Sequence, residues 1–252
     1  MDLQLTARTA IVTGASTGIG VGIAHCLARE GARLVITARR VEQLTRVADG
    51  IEAQTGVRPA SIAADVTSAD DLARLVREAN AVLGKVDILV NCAGGSRPLP
   101  PDAADAAWDE AFALNFTAPR RLAEAVLPAM RARRWGRVIN ISGSMEPRSP
   151  NAASAAKAAV HLWAKGLSCD VAAEGVTVNT IAPGRINSEQ ILNRLHPTDE
   201  ARRNFIRANI PIGYFGDPED IGNLVAFLSS PLAGYITGAV VPVDGGMHFF
   251  AH

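Results

Sequence analysis

Thr13-Gly14-Ala15-Ser16-Thr17-Gly18-Ile19-Gly20 joins the short apolar run Thr9-Ala10-Ile11-Val12 to the helix-compatible stretch Val21-Gly22-Ile23-Ala24-His25-Cys26-Leu27-Ala28. The order is strand, glycine-rich turn, helix. Glycines let a backbone turn tightly and come close to a pyrophosphate, and the helix start offers free N–H groups and the positive end of its dipole to that anion. A glycine triplet alone also marks ordinary turns, so the rest of the chain has to decide.

Working outward, apolar runs alternate with helical patterns. Arg33 to Thr37 reads as a second strand and Val41 to Gln54 as a helix closed by Gly56. Arg58 to Ala64 is a third strand, and Ser68 is placed to cap a helix that runs to about Leu83. Asp87 to Asn91 is too continuously apolar to have one wet face, as expected of a strand covered on both sides. Asp105 to Arg134 is largely helical, with a break or kink expected from Pro119 and Pro128. Arg137 to Ile141, Val176 to Ile181 and Val240 to Val243 are further strands, with the alanine-rich helix Ala152 to Ala173 and a helix opening at Pro218 between them. This alternation predicts one α/β domain over residues 1–252: a doubly wound parallel sheet of about seven strands with helices on both faces, the Rossmann architecture.

Composition sets the outer bounds. The chain has 252 residues, 48% hydrophobic, enough for one large core. Twenty-five basic and 25 acidic residues cancel, so no global charge draws nucleic acid or an anionic membrane, and neither is expected as a partner. Cys26, Cys92 and Cys169 are scattered without metal-ligand spacing, which predicts buried thiols in a reducing compartment and no metal site. The first residues lack a basic segment followed by an apolar one, and no apolar run reaches the roughly 18 residues of a membrane span. The expectation is a soluble cytoplasmic protein.

In doubly wound sheets ligands sit at the carboxyl ends of the strands, so the residues after each strand matter most. After strand two come Arg39 and Arg40 and no acid. An acid there would take ribose hydroxyls, whereas a base suits an adenosine 2′-phosphate, so NADP(H) is expected over NAD(H). The same arginines would also serve as solvated charges.

Together, T-G-x-x-x-G-I-G over 13–20, Asp65-Val66, Asn91-Cys92-Ala93-Gly94 and Pro183-Gly184-Arg185-Ile186-Asn187-Ser188 resemble the pattern of the short-chain dehydrogenase/reductase family. The likeness is greatest to its 3-oxoacyl-carrier-protein reductase branch, and Tyr235-Ile236-Thr237-Gly238 and Val243-Asp244-Gly245-Gly246 extend it to the end of the chain. The resemblance implies that Gly14, Ser16, Thr17, Gly18, Ile19 and Gly20 hold the cofactor phosphates, with Arg39 at the ribose and Asp65 and Val66 at the adenine. It further implies that Asn91, Ala93 and Gly94 lie along the adenosine ribose, and that Pro183, Gly184, Ile186 and Ser188 embrace the nicotinamide. Residues of about 185–212 correspond to a mobile substrate lid, and the long helices Asp105–Arg134 and Ala152–Ala173 imply a homotetramer or homodimer.

The family's catalytic tetrad is only half present. Asn115 matches its helix asparagine and Lys157 its lysine, which holds the nicotinamide ribose. The tyrosine, four residues before that lysine, falls on Ala153, and the serine falls on Gly143. Alanine has no proton to give. Ser142 and Ser144 flank the lost serine and are candidates to orient a carbonyl oxygen. Glu146 and Arg148, with Arg97 and Arg185 from neighbouring loops, are weaker candidates, and His161 shares the helix face of Lys157. Three readings follow: an NADP(H)-dependent oxidoreductase of carbonyl or hydroxyl substrates with a non-standard proton donor, a non-redox lyase or dehydratase on the same scaffold, or a cofactor-binding pseudoenzyme.

Overall fold

A computed structural model describes residues 1–96, 98–100, 102–144, 146–147, 149–188 and 191–249, without the side chain of Arg194. Arg97, Arg148 and Glu189 therefore lie outside the described residues. The strands are β1 Thr9–Thr13, β2 Arg33–Ala38, β3 Ala60–Ala63, β4 Ile88–Asn91, β5 Gly136–Ile141, β6 Val176–Pro183 and β7 Val240–Val243. The helices are α1 Ile19–Arg29, α2 Val41–Thr55, α3 Ala69–Leu83, α4 Asp105–Phe112, α5 Ala118–Ala132, α6 Ala152–Val171, α7 Asp199–Asn209 and α8 Pro218–Ser229. All seven strands are parallel, in the order β3-β2-β1-β4-β5-β6-β7. The order reverses beside β1, between α1 and the loop after β4, which is where such sheets open a crevice.

Each inner strand serves two cores, and this explains the apolar runs. Ala10, Val12, Ile88, Val90, Ile139 and Ile181 point to the face covered by α1, α2 and α8. Ile11, Leu89, Val138 and Val178 point to the other, covered by α3, α5 and α6. Period-two alternation with both faces buried leaves no polar position in β4 until Asn91. Local signals place the ends of the helices. Gly56 and Gly84 close α2 and α3 in the left-handed conformation, and the Ser68 hydroxyl accepts the Asp71 N–H at 3.3 Å.

Three expectations need correction. The break between α4 and α5 is not a proline kink but a π-helical turn, Ala113–Thr117, centred on Asn115. Pro119 follows that turn directly at the start of α5, and Pro128 sits inside α5 without ending it. The thiols are not uniformly buried either. Cys26 is buried, Cys92 half-buried and Cys169 exposed, because α6 turns that residue away from the sheet. The third strand is also shorter than the run Arg58 to Ala64, since only Ala60–Ala63 pairs with β2. No helix among the described residues is long and apolar enough to cross a membrane.

Candidate active site

Because every strand runs the same way, the residues that follow them meet along one edge. The glycine turn is built for close approach. Gly14 has φ +68°, and a Cβ there would lie 2.8 Å from the backbone of Ala93 after β4. A Cβ at Gly20 would lie 2.3 Å from the Gly14 carbonyl oxygen. The Thr13 hydroxyl accepts the N–H groups of Cys92 and Ala93, each at 2.9 Å, and so ties the β4 loop to the turn. Sequence reading passed over this hydroxyl as a site residue, although a threonine directly before the first glycine was a visible signal. The Ile19 and Gly20 N–H groups open α1 and have no acceptor among the described residues. Free amides and a cradle that a Cβ would fill fit a dinucleotide pyrophosphate.

Ser16 and Thr17 are half-buried in this turn, and Gly18 has φ +56° with Ser188 directly above it. A Cβ at Gly18 would lie 3.1 Å from Ser188 Cβ. Gly184 packs more tightly still on Asp244, and its N–H donates to the Val243 carbonyl at 2.9 Å, so the segment around β7 sets the loop after β6. Ile186 is buried there.

At the β2 end Arg39 is exposed. Across from it, the Asp65 carboxylate accepts the Thr67 hydroxyl at 2.7 Å and the Thr67 N–H at 2.9 Å. Those bonds, with a smaller contribution from the Arg39 charge, hold the Asp65 carboxyl below the usual range. Val66 is buried beside it. Asn91 donates to the Asn140 side chain at 2.9 Å and to the Pro119 carbonyl at 3.2 Å, linking β4, β5 and the start of α5.

Lys157 stands where these loops converge. It is half-buried on α6, and its ammonium donates to the Ser142 carbonyl at 2.7 Å. Positions built as Cβ atoms on Gly94 and Gly143 fall 3.8 and 3.6 Å from its Nζ. Burial pushes its pKa below the ordinary lysine value, with no carboxylate among the described residues to offset it. The neighbouring Cys92 thiol is pushed by burial up to about 12 despite that ammonium, and so stays protonated. Burial, then Lys157, also lowers the pKa of His161.

Asn115 is buried in the π-turn. Its side chain donates to the Ala111 carbonyl at 2.9 Å and accepts the Gly95 N–H at 3.2 Å, which couples the turn to the β4 loop beside Lys157. The Ser142 hydroxyl donates to the Ile181 carbonyl at 3.1 Å, a bond fixed by β5–β6 pairing that already occupies its proton. Ser144 is exposed and its hydroxyl accepts the Glu146 N–H at 3.4 Å. Glu146 accepts the Phe249 N–H at 2.8 Å and so holds the end of the chain against the site.

Around Lys157 opens a cavity of about 400 Å³ whose lining includes Ala153, Gly143, Ser144, Glu146 and Arg185. Its outer wall is apolar, from Ile191, Leu195, Phe205, Met247 and Phe249, which only the folded chain brings together. A second hollow of about 370 Å³ lies at the other ends of β2 and β3. Its arginines are committed, Arg33 to the Val82 carbonyl and Arg58 to Asp49 and Glu52, which leaves the Lys157 cavity as the chemical site. Neither Tyr214 nor Tyr235 lines that cavity, and both are exposed.

Residues 14–248 match the sequence model of a family described as enoyl-(acyl carrier protein) reductase. The chain is 37% identical over 250 residues to the 3-oxoacyl-(acyl-carrier-protein) reductase FabG of Pseudomonas aeruginosa, covering 98% of this chain and 99% of that one. It is 36% identical to the acetoacetyl-CoA reductase of Allochromatium vinosum, with coverage of 96% and 98%. Among solved structures, the L-sorbose reductase of Gluconobacter frateurii complexed with NADPH and L-sorbose superposes with a TM-score of 0.92 at 32% identity, covering 98% of each chain. A 7α-hydroxysteroid dehydrogenase complexed with NADH and 7-oxo glycochenodeoxycholic acid gives 0.91 at 33% identity, covering 98% of this chain and 96% of that one.

Proposed function

The chain belongs to the short-chain dehydrogenase/reductase family, and we propose that it is an NADP(H)-dependent reductase of a small carbonyl compound whose tyrosine and serine positions have fallen to Ala153 and Gly143. The observation that carries this is the half-buried Lys157 ammonium, set between the Gly94 and Gly143 loops with no acidic partner among the described residues, in a cavity whose lining reaches Ile19 at the start of α1. A partly buried ammonium whose described partner is a single carbonyl carries a desolvation cost that a ligand's oxygens would offset. Bound NADPH supplies hydride. The chain's own residues do the rest. Ile19 and Gly20 amides bind the pyrophosphate, Lys157 holds the nicotinamide ribose, and Ile186 and Ser188 close over the nicotinamide side. Asn115 keeps the β4 loop in register with Lys157. A proton reaches the nascent alkoxide from water or from Glu146, with Ser144 available to orient the oxygen and Ser142 bound to Ile181. Residues of about 185–212 act as the lid.

Arg39 sets the cofactor preference in this reading. A charge-assisted bond to a 2′-phosphate is worth about 1.5–3 kcal/mol, so Arg39→Ala should cut the NADPH-over-NADH affinity ratio about 10- to 100-fold. Titration of both variants with both nucleotides checks this, and an unaltered ratio sinks the assignment.

A second reading has its own observation. Ala153 offers no proton and the Ser142 hydroxyl is spent on Ile181, so a non-redox lyase or dehydratase, or a cofactor-binding pseudoenzyme, fits the same cavity. A lyase or dehydratase would convert its substrate with no change in nicotinamide absorbance, whereas a pseudoenzyme would bind the nucleotide and turn over nothing.

Association of copies fits the surface. No residue of α4 is buried within the chain, and Leu162 on α6 is 80% exposed. A homotetramer or homodimer is expected, and Leu162→Glu should lower the mass measured by light scattering. A monomeric wild-type protein would contradict this.

A further inference from the structure

Arg185 occupies the variable position of Pro183-Gly184-Arg185-Ile186, and its surroundings single it out. The guanidinium lies over the Phe205 ring, 4.9 Å from the centroid, and lines the same cavity as Lys157 and Ala153. Its Nε is buried with no acceptor, and no carboxylate pairs with it among the described residues. Burial lowers its pKa, though not enough to cost an arginine its charge. The neighbouring His196 ring packs on Phe205 and Phe215 at 4.4 and 5.5 Å, and its buried Nε2 makes no hydrogen bond to Arg185. Among the described lining residues Glu146 is the sole acid, and it is turned to the Phe249 N–H.

Among the described residues the cavity thus holds two cations, Lys157 and Arg185, beside apolar side chains that include Ile191 and Phe205, and one acid, Glu146. Phe205 stabilises the flat face of the guanidinium but leaves its in-plane N–H donors open, and planar donors of that kind match a carboxylate. We infer that the substrate is an oxo acid or hydroxy acid whose free carboxylate pairs with Arg185 while its carbonyl or carbinol carbon lies beside Lys157. This rests on the proposed reductase reading for the role of the second end of the molecule, but the carboxylate site itself does not need turnover. It sets the chain apart from relatives named for thioesters of acyl carriers, which present no free carboxylate at the reacting chain.

The test is calorimetric binding of a series of straight-chain oxo acids of increasing length, each beside its methyl ester, to the wild type and to Arg185→Leu and Arg185→Lys, with and without NADPH. At least one acid should bind the wild type about tenfold or more tighter than its ester. That preference should vanish in Arg185→Leu and partly return in Arg185→Lys. Equal binding of acids and esters, or binding of none, overturns the inference. So does a loss of NADPH affinity in Arg185→Leu with the acid preference intact, which would assign the arginine to the nucleotide. If acids are preferred through Arg185 but no nicotinamide is oxidised, the carboxylate site stands and the reductase reading falls.

Discussion

The Gly143→Ser, Ala153→Tyr double variant should reduce a carbonyl substrate about 10²- to 10⁴-fold faster than the natural protein, the usual contribution of a positioned general acid. The backbone is ready for both side chains. A Cβ at Gly143 would lie 3.6 Å from Lys157 Nζ, ordinary van der Waals contact, and Gly143 has no left-handed φ to strain it. Ala153 stands one helical turn before Lys157 on the same face and lines the cavity, so a tyrosine ring there enters space that is now empty. The ammonium would then depress the phenol's pKa and draw its proton toward the reacting oxygen. Steady-state kinetics at saturating NADPH, with each single variant beside the double, checks this. A folded, NADPH-binding double variant no faster than wild type would mean that the cavity is not the site of hydride transfer.

Changes at Lys157 should divide activity from stability. Lys157→Ala is expected to lower turnover about 10²-fold or more and to weaken NADPH binding, as loss of a preorganised charge at a dry site does. Lys157→Met removes the same charge but fills the space. It gives up the bond to the Ser142 carbonyl, a smaller loss than partly burying a charge that no carboxylate among the described residues balances. At neutral pH its Tm should exceed wild type by about 2–4 °C. The pH dependence has a definite sign. Burial holds the folded pKa of Lys157 below the ordinary 10.5, so between the two values the unfolded chain carries more protons than the folded one. Wild-type stability therefore gains with rising pH across that window, and the advantage of Lys157→Met shrinks there. Thermal melts of both proteins as a function of pH measure it. A variant less stable than wild type at neutral pH would show that the ammonium is well paired in the apo protein.

Much of this was legible in the sequence because it is carried by short-range patterns. Strand and helix order follow from alternating apolar runs, and Ser68, Gly56 and the 13–20 turn announce themselves through local backbone needs. The all-parallel order then brings Lys157, Asp65, Gly94 and Ser188 to one edge without further information. What escaped depends on packing between distant segments. The π-turn at Ala113–Thr117 leaves no periodic trace, since one extra residue in a turn is absorbed by Asn115 bonding to Ala111 and Gly95. The Ser142 hydroxyl is turned by its pairing with β6, 39 residues away, and Glu146 meets Phe249 across 103 residues. Arg185 could be named as a loop arginine, but its stacking on Phe205 exists only once α7 has folded over it.

The most direct measurement is a fluorescence titration of the purified protein with NADPH and with NADH, followed by a screen of carbonyl compounds for nicotinamide oxidation. Saturable binding is expected, with NADPH about 10- to 100-fold tighter than NADH, and slow oxidation with at least one carbonyl substrate. Binding of neither nucleotide would contradict it, and would make the glycine turn and the buried Lys157 the remains of a site now used for other chemistry.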